Sequence, residues 1–407
     1  NRRRFLKTAA GTAGFLAAMP CLNAAEVFTD TKPLKVGLVG CGGRGLGAMK
    51  NALDADPGTM VWALADVFQE RIDFGAKLLA EQYGNRAQLD RSRLFSGLDS
   101  YKRLLQTDID VVLLCTPPAF RPEHLAAAID ASKHIYAEKP EAARLAKLKN
   151  LVILDGFCWR YDKANEEAHR KLSSGLLGRV LSFDGLYYTT PPKSPLALDS
   201  RPSSDTDVAW ALRNWTAWNW LSGGQFVEQI VHTIDGMVWS MNEQLPLAAF
   251  GSGGRAQRRD DGDVWDHYDV YFEYDHNVTA HISCRQWVGC HGEIVDRTIC
   301  EKGMLVTPYR PYIQANNRWR FRGERGNMYA DTHVAFYRFL RSGTWTQTLE
   351  SAANKTLVAI MGREAAHTGQ RITWEQIKKS TARLVPEDLT MDTPLPPARI
   401  PRPGRTA

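Results

Sequence analysis

Six residues, Gly40-Cys41-Gly42-Gly43-Arg44-Gly45, constrain this chain more than any other segment. They follow a short apolar run, Leu34–Val39, of the kind that forms a buried parallel strand, and they open a helical stretch that reaches about Leu53. In a strand–turn–helix setting the first glycine permits a tight turn, the second lets a pyrophosphate approach the backbone, and the third lets helix and strand pack closely. The helix start then offers unpaired N–H groups to the phosphates. A second apolar run, Met60–Ala65, ends at Asp66, 21 residues after Gly45. A carboxylate at that place accepts hydrogen bonds from the adenosine ribose hydroxyls and repels a 2′-phosphate, so the spacing predicts NAD rather than NADP. Arg71 is expected on the surface of the following helix.

The alternation continues. A helix is expected over Gln69–Tyr83, a strand at Val111–Cys115, a helix at Glu123–Ala131 and a strand at His134–Ala137. Such alternation is the mark of a doubly wound parallel sheet, here a Rossmann domain over residues 34–155. After Phe157 the pattern changes. Residues 178–190, 244–250, 264–273, 278–287 and 293–299 read as strands with few helices between them, which predicts an α+β domain over 156–380 with a large open, mostly antiparallel sheet. Helices near 331–342 and 350–367 are expected to return to the first domain. The Pro-rich tail, 386–407, is expected to wrap the surface or a neighbouring subunit.

The formal charge of +6 does not point to nucleic acid. Arg2, Arg3, Arg4 and Lys7 supply four of those charges and residues 1–24 hold no acid, which leaves about +2 for the body. Residues 1–25 read as a targeting segment: Asn1-Arg2-Arg3-Arg4-Phe5-Leu6-Lys7 resembles the twin-arginine consensus, and a mildly apolar Ala/Gly stretch leads to small residues near Ala24-Ala25. Export to the periplasm by that route is the expectation. The stretch is too short to span a membrane permanently, and no other run approaches that length. The seven cysteines are scattered and lack CxxC, so neither a disulfide framework nor a zinc site is predicted, although Cys284 and Cys290 lie close enough in sequence to pair.

Glu138-Lys139-Pro140 follows the strand His134–Ala137, and Thr116-Pro117-Pro118 follows the strand before it. Together with the glycine turn these segments resemble the Gfo/Idh/MocA oxidoreductase family over most of residues 34–380. Gly156-Phe157-Cys158-Trp159-Arg160-Tyr161 and Ile372-Thr373-Trp374-Glu375 are similar to further family segments. The resemblance implies that Lys139 lies against the nicotinamide and the sugar hydroxyl being oxidised, where an ammonium orients the hydroxyl and shares in moving its proton. It also implies cofactor contacts from Gly40, Gly42, Gly43, Arg44, Gly45, Asp66, Thr116, Pro117, Arg121, Glu138 and Lys139.

The run from Ser222 to Asp235 resembles the family segment in which a glycine pair precedes a helix bearing an acid, a histidine and a further Asp. Glu228 and His232 are spaced i, i+4 and Asp235 lies three further on, so one helical face is expected to carry all three as catalytic groups, with His232 as the base. Glu228 stands where many members have Asp. A zinc site built from these three lacks a known ligand motif, and no metal is predicted. Trp215, Trp218, Tyr187 and Arg160 are expected to line the sugar site, with Arg285 and Gln286 nearby. Gly156 lies only 16 positions after Pro140, so 141–155 must hold a shortened helix or lack part of the natural chain.

Two enzymatic outcomes fit this reading. One is a simple NAD-dependent sugar dehydrogenase. The other keeps NAD tightly bound and cleaves a glycoside by oxidation, elimination, hydration and reduction; export favours it, because free NAD is scarce outside the cytoplasm. A non-catalytic sugar-binding module is the third. An exposed open sheet further predicts a homodimer or homotetramer.

Overall fold

Each half of the chain builds its own sheet. The computed structural model describes residues 32–139, 151–316, 318–343 and 348–404. The proposed leader, Cys21 and Pro140 lie outside that set, as does most of the shortened 141–155 stretch.

The first sheet contains β1 (Leu34–Val39), β2 (Thr59–Asp66), β3 (Leu94–Ser96), β4 (Val111–Leu114), β5 (His134–Ala137) and β6 (Ile153–Asp155). Their order is 3-2-1-4-5-6, and every pairing is parallel. The helices α1 (Gly43–Ala55), α2 (Gln69–Tyr83), α3 (Ser100–Leu105) and α4 (Arg121–Asp130) connect the strands. Both faces of β1 and β4 are covered, which is why these strands read as continuous apolar runs: Val111 to Leu114 are all fully buried. Chain order reverses between β1 and β4, and a crevice opens there at the strand ends.

The second half carries α5 (Lys163–Ser173), then β7 (Val180–Thr189), α6 (Asp207–Arg213), α7 (Asn219–Ser222), α8 (Gln225–Glu228) and α9 (Val231–Ser240). The strands β8 (Ala248–Gly254), β9 (His267–Glu273), β10 (Thr279–Gln286), β11 (Glu293–Cys300), β12 (Gly303–Thr307), β13 (Tyr312–Ala315) and β14 (Trp319–Arg320) follow. After α10 (Met328–Ser342) and α11 (Leu349–Thr368), β15 (Ile372–Thr373) and α12 (Trp374–Lys379) complete the domain. The nine strands are ordered 14-13-12-11-7-10-9-8-15, antiparallel except for the β7–β10 pair. The expected open, mostly antiparallel sheet is therefore present.

Residues of α8, α9 and α11 form one core with the inner face of that sheet. Only α10 returns to the first domain as expected, packing Phe336 and Tyr337 against α1 and β1. By contrast most of α11 packs into the core of the second domain, while Leu349 at its start joins an apolar cluster of the first. Its helical stripe faces the aromatic underside of β9, and Gly362 lets Phe226 and Phe272 approach where a Cβ would meet them at 2.6 and 2.9 Å. The tail folds back on its own chain: Leu389, Met391, Leu395 and Ala398 pack on α6 and α7. No helix among the described residues is long and apolar enough to cross a membrane, and the six described cysteines are free.

Candidate active site

The glycine turn shows two kinds of glycine. Gly40 has φ +97° and abuts the backbone of Cys115, and a Cβ on Gly45 would sit 1.8 Å from the Gly40 carbonyl oxygen. These two are demanded by packing. At Gly42 and Gly43 a Cβ would meet nothing within 4 Å, so these two border open space at the start of α1. That space belongs to a cleft of about 560 Å³ between the two domains, within the usual size for a small-molecule site. All eleven expected cofactor contacts line it.

One end of the cleft is organised by Asp66. Its carboxylate accepts the Cys41 N–H at 2.7 Å and the Phe68 N–H at 3.0 Å, while its carbonyl accepts the Gly97 N–H. A single buried side chain thus pins the glycine turn and the start of α2 while its remaining lone pairs face the cleft. Arg71 is not on the outer surface of α2. It lines the cleft, 3.9 Å from Asp66 and over the Phe68 ring. Arg121 acts as a brace, donating to the carbonyls of Thr116 and Glu138. The Thr116 hydroxyl in turn pairs with His124 Nδ1.

The other end is organised by Lys139. Its ammonium donates to both the backbone oxygen (2.8 Å) and the carboxylate (2.9 Å) of Glu228. The extra methylene of Glu over Asp gives the reach that closes this pair across the two domains. Glu138 faces away from that pair and binds Arg44 at 2.6 Å, whose guanidinium also covers the Tyr329 ring. His232 lines the cleft beside Lys139, stacked on Trp159 at 5.2 Å, with Nδ1 buried and unpartnered among the described residues. Burial, the Lys139 charge and the more distant Arg44 charge push its pKa down to about 3, so the ring is neutral at working pH rather than poised near it.

Four expectations need correction. Glu228 and His232 do not share one helix: α8 ends at Glu228, and the Ile230 N–H bonds Gln225 O, a wide i to i−5 turn, before α9 begins. Asp235 does not join them. It is 1% exposed and holds both Arg160 (2.7 Å) and Lys355 (2.7 Å), so it neutralises a buried cationic pair away from the cleft. Arg160, locked by Asp235 and Glu243, is thereby withdrawn from substrate binding. Trp218 is buried in the cluster beneath α6 and does not line the cleft, whereas Trp215 does so at the Asp66 end, among Phe68, Phe120 and Leu212.

Tyr187 does line the Lys139 end, stacked on Trp159. Arg285 and Gln286 are set back from the cleft, although Gln286 donates to Gln229 Oε1 at 2.7 Å and so orients a residue that lines it. The sequence reasoning passed over one aromatic residue that lines this end, Tyr329, and the pair Trp159 and Tyr309, which are not part of the lining. Trp159 packs edge-on against Tyr309, and Tyr329 at the start of α10 reaches the cleft from nearly two hundred positions away. Only the GFCWRY segment hinted at Trp159. With Glu228 tied to Lys139 and Asp235 to Arg160 and Lys355, these carboxylates are not arranged as metal ligands, and no group of three or more metal-binding side chains occurs among the described residues.

Comparison with known proteins decides the family. Residues 34–154 match the oxidoreductase family model described as an NAD-binding Rossmann fold, and 165–329 match the Gfo/Idh/MocA C-terminal domain, together more than two thirds of the chain. The chain belongs to the Gfo/Idh/MocA oxidoreductase family. Among curated relatives, dTDP-3,4-didehydro-2,6-dideoxy-alpha-D-glucose 3-reductase of Actinomadura kijaniata is 28% identical over 40% of this chain and 48% of its own length. A glycosyl hydrolase family 109 protein of Streptomyces coelicolor is 37% identical over 31% of this chain and 26% of its own. The chain spans about half the length of the first of these and about a quarter of the second. Levoglucosan dehydrogenase, solved with NADH and levoglucosan, superposes with a TM-score of 0.65 at 20% identity, covering 84% of this chain and 99% of that one, a likeness of fold.

Within this Gfo/Idh/MocA chain the first domain is an NAD-binding Rossmann fold, and its residues fit the cofactor. Open space lies at Gly42 and Gly43, an acid stands at the ribose position, and Lys139 waits at the far end.

Proposed function

We propose that this protein is an NAD-dependent oxidoreductase acting at a ring carbon of a sugar or glycoside. The observation that carries the proposal is the convergence of Lys139, Glu228 and His232 at the end of the cleft opposite Asp66. A bound NAD supplies the hydride acceptor or donor. The glycine turn and Asp66 would hold its pyrophosphate and adenosine ribose, and Lys139 would stand at the nicotinamide end. Lys139, its charge balanced by Glu228, donates a hydrogen bond to the sugar hydroxyl. The neutral His232 accepts that hydroxyl's proton as the carbon is oxidised. The imidazolium so formed is strongly acidic in this setting, so His232 readily returns the proton in the reverse direction. Tyr187, backed by the buried Trp159, and Tyr329 offer apolar faces to a sugar ring.

A second reading, net glycoside hydrolysis with NAD retained, is favoured by one further finding: several matched relatives are glycosyl hydrolase family 109 proteins. The same acid–base pair serves it, since the oxidising step is later reversed. Export by the twin-arginine leader and assembly into a homodimer or homotetramer belong to this proposal. Exposed Leu181, Phe250, Tyr271 and Ile299 on the outer face of the second sheet support self-association. The test is to incubate the purified protein, without added NAD, with a panel of free sugars and of chromogenic glycosides. Formation of NADH with a free sugar supports the dehydrogenase, and glycoside cleavage without net NADH supports the hydrolase. Lys139→Ala and His232→Ala should each abolish whichever activity is found; if neither variant loses it, both readings fall.

A further inference from the structure

The excursion between β7 and α8 belongs to neither sheet, yet it forms part of the cleft wall. Lys193, Leu212 and Trp215 stand there opposite Phe68, Leu98 and Phe120 of the first domain. The two domains thus bound a slot with apolar walls beside the Asp66 carboxylate, where the adenosine half of a dinucleotide would lie. Lys193 donates to the Arg213 carbonyl at 2.8 Å, which uses one of its three N–H groups and fixes the ammonium at this rim. Arg213 is not available to a ligand, being held by Glu70 and Asp205 while its guanidinium covers the Phe68 ring at 4.0 Å. That contact stitches the excursion to α2.

The excursion is itself held from behind. Val208, Trp210, Leu212, Trp218 and Leu221 share one apolar cluster with Phe68, and the outer side of that cluster is closed by Leu389, Met391, Leu395 and Ala398 of the tail. The Leu395 N–H is accepted by Asp207 in the first turn of α6. Further along, the Pro401 carbonyl accepts from Trp265 Nε1, and the Gly404 N–H is accepted by the Thr368 carbonyl. The tail is therefore a strap pinned at both ends over the element that carries Trp215.

We propose that Lys193 and Trp215 are dinucleotide-binding residues supplied by the second domain, and that the C-terminal strap over 386–404 holds them closed, so that NAD is a resident group rather than an exchanging substrate. This rests on the cleft being the NAD site and adds a binding contribution from outside the Rossmann domain. Trp215 would cover one face of the adenine, and Lys193 would direct its remaining N–H groups at ribose or phosphate oxygens. Release would then require the excursion to lift, which the strap resists by keeping the cluster beneath it covered.

The experiment loads the full chain with NADH, chases with excess NAD, and follows the loss of energy transfer from tryptophan to NADH. A chain ending at Val385 should release NADH at least tenfold faster. Leu395→Asp in the full chain should do the same, which keeps the test open should the truncated chain fail to fold. Lys193→Ala should weaken NADH binding by about tenfold with an unchanged circular dichroism spectrum. Unchanged release, within twofold, in Leu395→Asp together with unchanged binding in Lys193→Ala would overturn the proposal. Wild-type protein that takes up no NADH would remove instead the assignment of the cleft on which it stands.

Discussion

Replacing Asp66 with Asn leaves the shape of the side chain nearly intact and removes only its charge and one acceptor oxygen. In the native protein the two carboxylate oxygens accept the Cys41 and Phe68 N–H groups at 2.7 and 3.0 Å. An amide can accept only one of these with its oxygen, and its NH2 then faces the other N–H. One buried donor is left without a partner, at a cost of about 1–3 kcal/mol to the folded apo protein. The adenosine ribose loses at least one charge-assisted hydrogen bond, worth about 1.5–3 kcal/mol, which is roughly a 10- to 150-fold rise in the NAD dissociation constant. Two measurements separate the effects. Calorimetric titration of apo protein reads the affinity, and thermal unfolding without ligand reads the loosened turn. Amide hydrogen exchange should quicken at Cys41 or Phe68 and not in β4. Arg71→Ala is the control: at 3.9 Å from Asp66 with no hydrogen bond between them, its loss should leave apo stability within about 0.5 kcal/mol. An Asp66→Asn protein that binds NAD within threefold of wild type would refute the role given to this carboxylate.

Three further outcomes follow. Gly45→Ala should not yield folded protein, because its Cβ would overlap the Gly40 carbonyl, whereas Gly43→Ala should fold normally and bind NAD more weakly, as checked by circular dichroism and titration. Asp235→Ala should strip Arg160 and Lys355 of their shared counter-ion and destabilise the protein by about 3–5 kcal/mol in denaturant unfolding, with NAD affinity unchanged in the folded fraction. His124, His169 and His333 are buried and hold pKa values of about 3, against 6.5 when unfolded, so the unfolded chain takes up protons that the folded one refuses. Stability conferred above pH 6.5 should thus be lost as pH falls toward 3, by about 2 kcal/mol per histidine between pH 7 and 5. The buried Asp296, raised well above its ordinary value, partly offsets this loss, and His333→Phe should flatten the profile by one histidine's share in urea titrations at the two pH values.

The parts of this molecule that were legible in sequence are those whose causes are local. The strand before the glycine turn, the turn itself and Asp66 announce themselves because each residue answers to neighbours in its own βαβ unit. The short strands β3 and β6, of three residues each, carry too little pattern to stand out. Spacing misled at the Glu228–His232 segment, since an i, i+4 reading assumes an unbroken helix and the wide turn at Ile230 breaks it. Asp235 looked catalytic because its partners, Arg160 and Lys355, lie 75 and 120 positions away and leave no local trace. Trp215 and Trp218, three apart, were read as one wall; the short turn over Trp215–Ala217 and the start of α7 send them to different surroundings. Glu228 shows the converse, for the departure from Asp that had no explanation in sequence is the methylene that lets it reach Lys139.

The central claim is that a dinucleotide spans the cleft from Asp66 to Lys139. Denaturing the purified, dialysed protein and weighing the released small molecules by mass spectrometry tests it directly. NAD or NADH should be released at close to one per chain. Protein that releases no dinucleotide, and still binds none when supplied at millimolar concentration, would contradict it.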